Sequence, residues 1–212
     1  MSKIVVVSGT PKARDSASAT IIEHLGKTLV NPVTIYPAIR LVRGKGAPEA
    51  VSGIVNADVI LFVFPLYVDA LPAPLVKVLT MLAAAITPGR GTRVYAVCNC
   101  GFFEAGHTQT ALDIIADFCE RTGLDWQYGV GIGGGGYLPL TPADRTRGPA
   151  AKVFAVLDDL GRAIQGGEAP GHNVFVSPKM PRALYKLASH WSWRSMARKF
   201  HARALDARPY ES

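Results

Sequence analysis

Apolar and polar positions along this chain fall into short hydrophobic runs separated by stretches with a helical period. Ile4 to Ser8 begins with four consecutive aliphatic residues and runs into Gly9-Thr10-Pro11, which predicts a buried strand ending in a turn. Behind Ser16 and Ser18, both plausible helix caps, Ile21, Ile22, Leu25 and Leu29 recur on one helical face. Val33, Ile35 and Ile39 predict a weaker second strand within residues 32 to 39, followed by a loop. Ala57 to Phe64 is apolar on both faces and stops at Pro65, the pattern of a central parallel strand. Leu75 to Ile86 predicts a helix closed by Pro88 and Gly89, and Arg93 to Cys98 the next strand. Thr110 to Thr122 predicts a helix ending at Gly123, Tyr128 to Ile132 a fifth strand, and Ala150 to Ile164 a helix stopped near Gly166-Gly167.

Strands alternating with helices predict an α/β domain with a parallel sheet covered on both faces. In such sheets ligands gather beyond the carboxyl ends of the strands. The loops of interest are therefore those after Ser8, Phe64, Cys98 and Ile132.

Composition adds constraints. Of 212 residues, 49% are hydrophobic and 18% charged, enough apolar surface for one core, so one domain with a tail is expected. Ala57 to Val68, the longest apolar stretch, falls short of the roughly 20 residues that span a bilayer, and no export signal follows Met1. Cys98, Cys100 and Cys119 have no framework spacing, which predicts free thiols and a cytoplasmic protein. From Lys179 onward eight basic side chains stand against Asp206 and Glu211, so the tail carries nearly all of the +7 formal charge.

The loop from Ser8 to Ser18 is rich in hydroxyls and feeds a helix. Unpaired N–H groups at that helix start, the positive end of its dipole and the hydroxyls of Thr10, Ser16 and Ser18 suit a phosphate, with Lys12 or Arg14 adding charge. Simple capping by the same hydroxyls is the competing reading. The loop has neither the Gly-Lys-Ser/Thr of a Walker loop nor G-x-G-x-x-G, so a monophosphate fits best. In the second loop, Pro65, Leu66, Tyr67 and Val68 lead through Leu71-Pro72 into a helix containing Leu75 and Lys77. Pro65 frees backbone amides nearby, and Tyr67 either packs on a ligand or shields the core. In the third, Asn99 can donate and accept, Gly101 permits close approach, and Phe102 or Phe103 can flank a ring.

Gly9-Thr10-Pro11-Lys12 with its serine-rich turn, the Pro-x-Tyr turn at Pro65 to Tyr67, and the loop at Asn99 come in the order found in one family. Through them the chain resembles the NAD(P)H-dependent FMN reductases of the flavodoxin-like superfamily, over about residues 3 to 165. The resemblance implies a three-layer, doubly wound, five-stranded parallel sheet of order 2-1-3-4-5 spanning residues 1 to 168, with a basic amphipathic extension over 169 to 212. It implies bound FMN on Thr10, Lys12, Arg14, Ser16, Ser18, Pro65, Leu66, Tyr67, Val68, Asn99, Gly101 and Phe102. It further implies NAD(P)H as electron donor, a small acceptor such as a quinone or flavin, and a homodimer. No side chain is assigned as acid or base; Glu104 and His107 read as an exposed carboxylate and a surface histidine. A flavodoxin-type electron carrier and a non-enzymatic scaffold acting through its tail are the alternatives.

Cys98-x-Cys100 lacks the second pair that a zinc or iron–sulfur site needs, so no metal is expected. The glycine run from Gly129 to Gly136 is followed by Tyr137-Leu138-Pro139 where a dinucleotide fold would start a helix, which predicts a flexible strand exit near the ring or the dimer contact. After Pro181 a helix is expected with Trp193, Met196, Ala197, Phe200 and Ala204 on one face. That face is expected to pack on the body or a partner subunit in preference to a membrane, and nothing in the tail forms a nucleic-acid module.

Overall fold

The computed structural model describes residues 2–12, 15–44, 47–142 and 144–199. The chain divides into two units, Met1–Lys179 and Met180–Ser212.

The first unit is built on six parallel strands in the order β2-β1-β3-β4-β5-β6: β1 Ile4–Ser8, β2 Val33–Pro37, β3 Val59–Pro65, β4 Arg93–Asn99, β5 Asp125–Ile132 and β6 Val174–Val176. Between them run α1 Ala17–Thr28, α2 Ala38–Arg43, α3 Ala47–Val55, α4 Ala73–Ala83, α5 Gln109–Thr122 and α6 Ala151–Ile164, with short 3-10 helices at Ala105–Thr108 and Gly135–Leu140. Every residue from Val59 to Phe64 is buried, because both faces of the sheet are covered. Val59, Leu61 and Val63 pack with Ile21 and Leu25 of α1 and Leu157 and Leu160 of α6. Ile60, Phe62 and Phe64 pack on the other side with Ile54 of α3, Leu75 and Val78 of α4 and Leu112 and Ile115 of α5. The pleat alternates side chains between faces, so one apolar strand serves two cores.

The structure departs from expectation in three places. The sheet has six strands and not five. The sixth, Val174–Val176, pairs with Val130 to Ile132 of β5 and lies in the segment assigned to the extension, so residues 169 to 179 belong to the first unit. Three residues are too few to show an alternating pattern, which is why the strand is invisible in the sequence. The loop expected beyond the second strand contains α2 and α3, and Ile39 lies in α2. The six residues of α2 are less than two turns, too short to display a helical period, yet Leu41 and Ala38 still reach the core. The third departure is the glycine run: it leads straight into the 3-10 helix Gly135–Leu140, whose Leu138 is fully buried.

The second unit contains α7, Arg182–Lys199, beginning directly after Pro181. Trp193 and Met196 are exposed, as are Leu184, Leu187 and Trp191. At 3.6 residues per turn Trp193 and Met196 sit on the side opposite Leu184, Leu187 and Trp191, so the described part of the helix carries apolar groups on two sides. Phe200 and Ala204, assigned to the apolar face, lie outside the described residues.

Candidate functional site

The strands end nearly level. Ser8 stands beside Val63, Pro65 beside Asn99, and Asn99 beside Ile132, so four loops leave the same edge of the sheet next to one another. Gly9 N–H donates to the Val63 carbonyl at 2.8 Å, holding the first loop against β3.

Ser16 caps α1: its backbone is extended and its Oγ accepts the Ala19 N–H at 3.2 Å. The amides of Ala17 and Ser18 open this helix and are of the kind that intrahelical bonding leaves over, ready for an anion. Thr10 Oγ1 accepts the Lys12 N–H at 3.3 Å and keeps its own proton to donate, and Lys12 is exposed beside it. Arg14 lies outside the described residues. Asp15 has a φ of 52°, a left-handed conformation just ahead of the cap.

Ser18 reaches further than its place at the helix start suggests. It is 1% exposed, and its hydroxyl accepts the Asn99 amide at 2.9 Å. The same Asn99 Nδ2 also donates to the Phe64 carbonyl at 3.0 Å, while the Asn99 carbonyl accepts the Leu66 N–H at 2.8 Å. Asn99 therefore spends both amide protons inside the protein, tying the first turn of α1 to the exits of β3 and β4. A direct bond from its amide nitrogen to a ligand would break this arrangement.

Beyond Pro65 the chain makes a tight two-residue turn. Tyr67 and Ala70 exchange backbone hydrogen bonds at 3.0 and 3.1 Å, with Val68 (φ 50°) and Asp69 (φ 55°) between them. The amides of Leu66 and Tyr67, expected to be free, are thus engaged, and those of Val68 and Asp69 at the turn tip lie outside this pairing. A β-branched residue in the left-handed region is strained, and such strain concentrates at working sites. Val68 is 98% exposed and Tyr67 46%, at the same edge as Phe102, which is 55% exposed. The His107 ring lies against Phe102 with centroids 4.4 Å apart. Gly101, just ahead of Phe102, is open, with no atom beyond its chain neighbours within 4 Å of the position a Cβ would take.

The third and fourth loops are laced together. Gly134 N–H donates to the Phe102 carbonyl at 2.6 Å, Gly135 N–H to the Cys100 carbonyl at 2.8 Å, and Ser177 Oγ to the Phe103 carbonyl at 2.6 Å. A Cβ on Gly131 would strike Thr108 and the Phe175 ring, and one on Gly133 the Phe103 carbonyl. This close packing, absent from any reading of the glycines as a nucleotide fingerprint, accounts for their spacing. Ser177 and Thr108 were missed because nothing local marks them; only the fold brings them to this edge.

The cysteines offer no thiolate here. Burial pushes the Cys98 and Cys100 thiols up, and Cys119 is pushed up to about 12. Among the described residues no group of three or more His, Cys, Asp or Glu side chains could hold a metal ion.

These features put a helix start with exposed Lys12 and the Thr10 hydroxyl on the same end of the sheet as exposed Tyr67, Val68 and Phe102. A flat aromatic ring joined to a phosphate fits that pairing of an anion site with apolar surface. The order β2-β1-β3-β4-β5 at the heart of the sheet is that of the flavodoxin-like doubly wound fold, here widened by β6.

No protein-family model matches the chain, and no curated protein matches it in sequence. Solved structures share its fold. An NADPH-quinone reductase from P. pentosaceus aligns at 16% identity and a TM-score of 0.55 over 76% of this chain and 98% of its own. A Trp repressor binding protein from Bacillus subtilis aligns at 12% identity and 0.57 over 79% and 100%. An NADH:FMN oxidoreductase in its apo form aligns at 17% identity and 0.55 over 77% and 89%.

Proposed function

We propose that the protein is an FMN-dependent oxidoreductase that draws hydride from NAD(P)H and passes it to a small acceptor such as a quinone or a flavin. The observation that carries this reading is that the loop feeding α1 and the loops bearing the exposed Tyr67, Val68 and Phe102 leave the same end of neighbouring strands. The reductases among the proteins of similar fold support it. Bound FMN would supply the hydride chemistry, and the protein its position and electrostatics.

The amides of Ala17 and Ser18, the Thr10 hydroxyl and the Lys12 ammonium hold the phosphate. Ser16 shapes that site by capping the helix, and Arg14 adds charge from the same loop. The turn at Pro65, Leu66, Tyr67 and Val68 offers its tip amides to the polar edge of the ring, where they favour negative charge on it. Tyr67 and Phe102 flank the ring, and Gly101 leaves the backbone room beside it. Asn99 holds these loops in place. By family resemblance the protein works as a cytoplasmic homodimer.

Binding of FMN and of riboflavin, followed by quenching of flavin fluorescence, tests the phosphate assignment. FMN should bind at least about tenfold more tightly, the worth of a charge-assisted contact in a preformed site. Equal affinity for the two would remove the phosphate site.

A further inference from the structure

We propose that His107 is a positioning residue for the flavin ring, acting through Phe102. The inference rests on the reading of this edge as an FMN site. Phe102 follows the open Gly101 at the exit of β4, and its main chain is held. Its carbonyl accepts the Gly134 N–H at 2.6 Å, and the next carbonyl, that of Phe103, accepts the Ser177 hydroxyl at 2.6 Å. The Phe102 side chain is 55% exposed and belongs to neither core. Core packing therefore leaves the direction of this ring unset. The His107 ring supplies a contact that sets it, with centroids 4.4 Å apart and planes inclined by 35°.

His107 is built to hold a neighbour still. It lies in the 3-10 helix Ala105–Thr108, whose Ala105 and Thr108 are buried. Thr108 Oγ1 donates to the Ala105 carbonyl at 2.7 Å and stands where a Cβ on Gly131 of β5 would be. The backbone at His107 is thus pinned to the sheet while its ring stays at the surface. Two exposed rings stacked on each other add little to the interior, where an aromatic side chain contributes by burying its area. Beside a site for a flat ring the same stack has a use. A Phe102 ring already held in one direction has less rotamer freedom to lose when a ligand packs on it, so binding is tighter.

The test is a double-mutant cycle on the full chain, read by titration with FMN and with riboflavin. His107→Ala should weaken both flavins by the same factor, about threefold to tenfold, the worth of one aromatic contact. His107→Phe, which keeps a ring against Phe102, should restore the parent affinity. Phe102→Ala should cost at least as much as His107→Ala, and the double variant no more than Phe102→Ala alone. Both side chains are exposed, so circular dichroism should show the fold unchanged. Unchanged affinity in His107→Ala, a loss seen with FMN but not riboflavin, no rescue by His107→Phe, or losses that multiply in the double variant would each overturn the proposal. A parent protein that binds neither flavin would remove the FMN reading itself, and this inference with it.

Discussion

Asn99 Nδ2 donates to Ser18 Oγ at 2.9 Å, joining the end of β4 to the first turn of α1 across 81 positions of sequence. Both residues are buried, and the same nitrogen reaches the Phe64 carbonyl at the end of β3. The phosphate side of the proposed site and its ring side are thus set by one amide. Neither residue needs to touch a ligand to matter for binding one.

Asn99→Ala should therefore destabilise the fold by about 1–3 kcal/mol, because the Ser18 hydroxyl and the Phe64 carbonyl are left buried without that donor. Flavin affinity should fall with it as the loops lose their common anchor. Urea unfolding and a flavin titration on the same preparation check both effects. An unchanged unfolding midpoint would show that the bridge contributes nothing.

Val68 holds a left-handed backbone that glycine adopts without strain, and its side chain is almost fully exposed. Val68→Gly should stabilise the protein by about 0.5–1 kcal/mol, the relief of strain less the entropy of glycine. Flavin binding should weaken, since the turn then populates other conformations. A variant less stable than the parent would mean that the Val68 side chain contributes packing that outweighs its strain.

Burial raises the folded-state pKa of Cys119 and Tyr128 to about 12 each, from 9.0 and 10.0, and raises that of Cys98 as well. A group whose folded pKa lies above its unfolded one favours the fold fully at pH values below the unfolded pKa. Its contribution is lost as pH rises between the two values. Stability should hold to about pH 9 and then drop toward pH 12, by about 1.4 kcal/mol per pH unit for each group still protonated only in the fold. Urea midpoints measured at about pH 8, 9.5 and 11 check this, and a flat profile would contradict it.

Much of this architecture is legible in the sequence where a local pattern is long enough to carry it. The unbroken apolar run through β3 announces a central strand, and the loops at Thr10, Pro65 and Asn99 do leave one end of the sheet, as the alternation of strands and helices implies. What is not legible depends on distant partners. Asn99 reads locally as a ligand contact, and its bonds to Ser18 and to the Phe64 carbonyl could not be read from its own loop because both partners are distant in sequence. Gly131 and Gly133 read as a flexible exit, and only the approach of Thr108, Phe175 and Phe103 shows why side chains are excluded. β6 and α2 are too short to repeat the periods that would reveal them.

The most direct test of the central claim is a visible spectrum of the protein with FMN, recorded anaerobically before and after addition of NADPH and, separately, NADH. The account predicts bound flavin that either nucleotide bleaches within the mixing time of a turnover assay. Bound flavin that stays oxidised with both nucleotides would contradict the reductase and favour an electron carrier, and absence of flavin binding would leave the fold without this function.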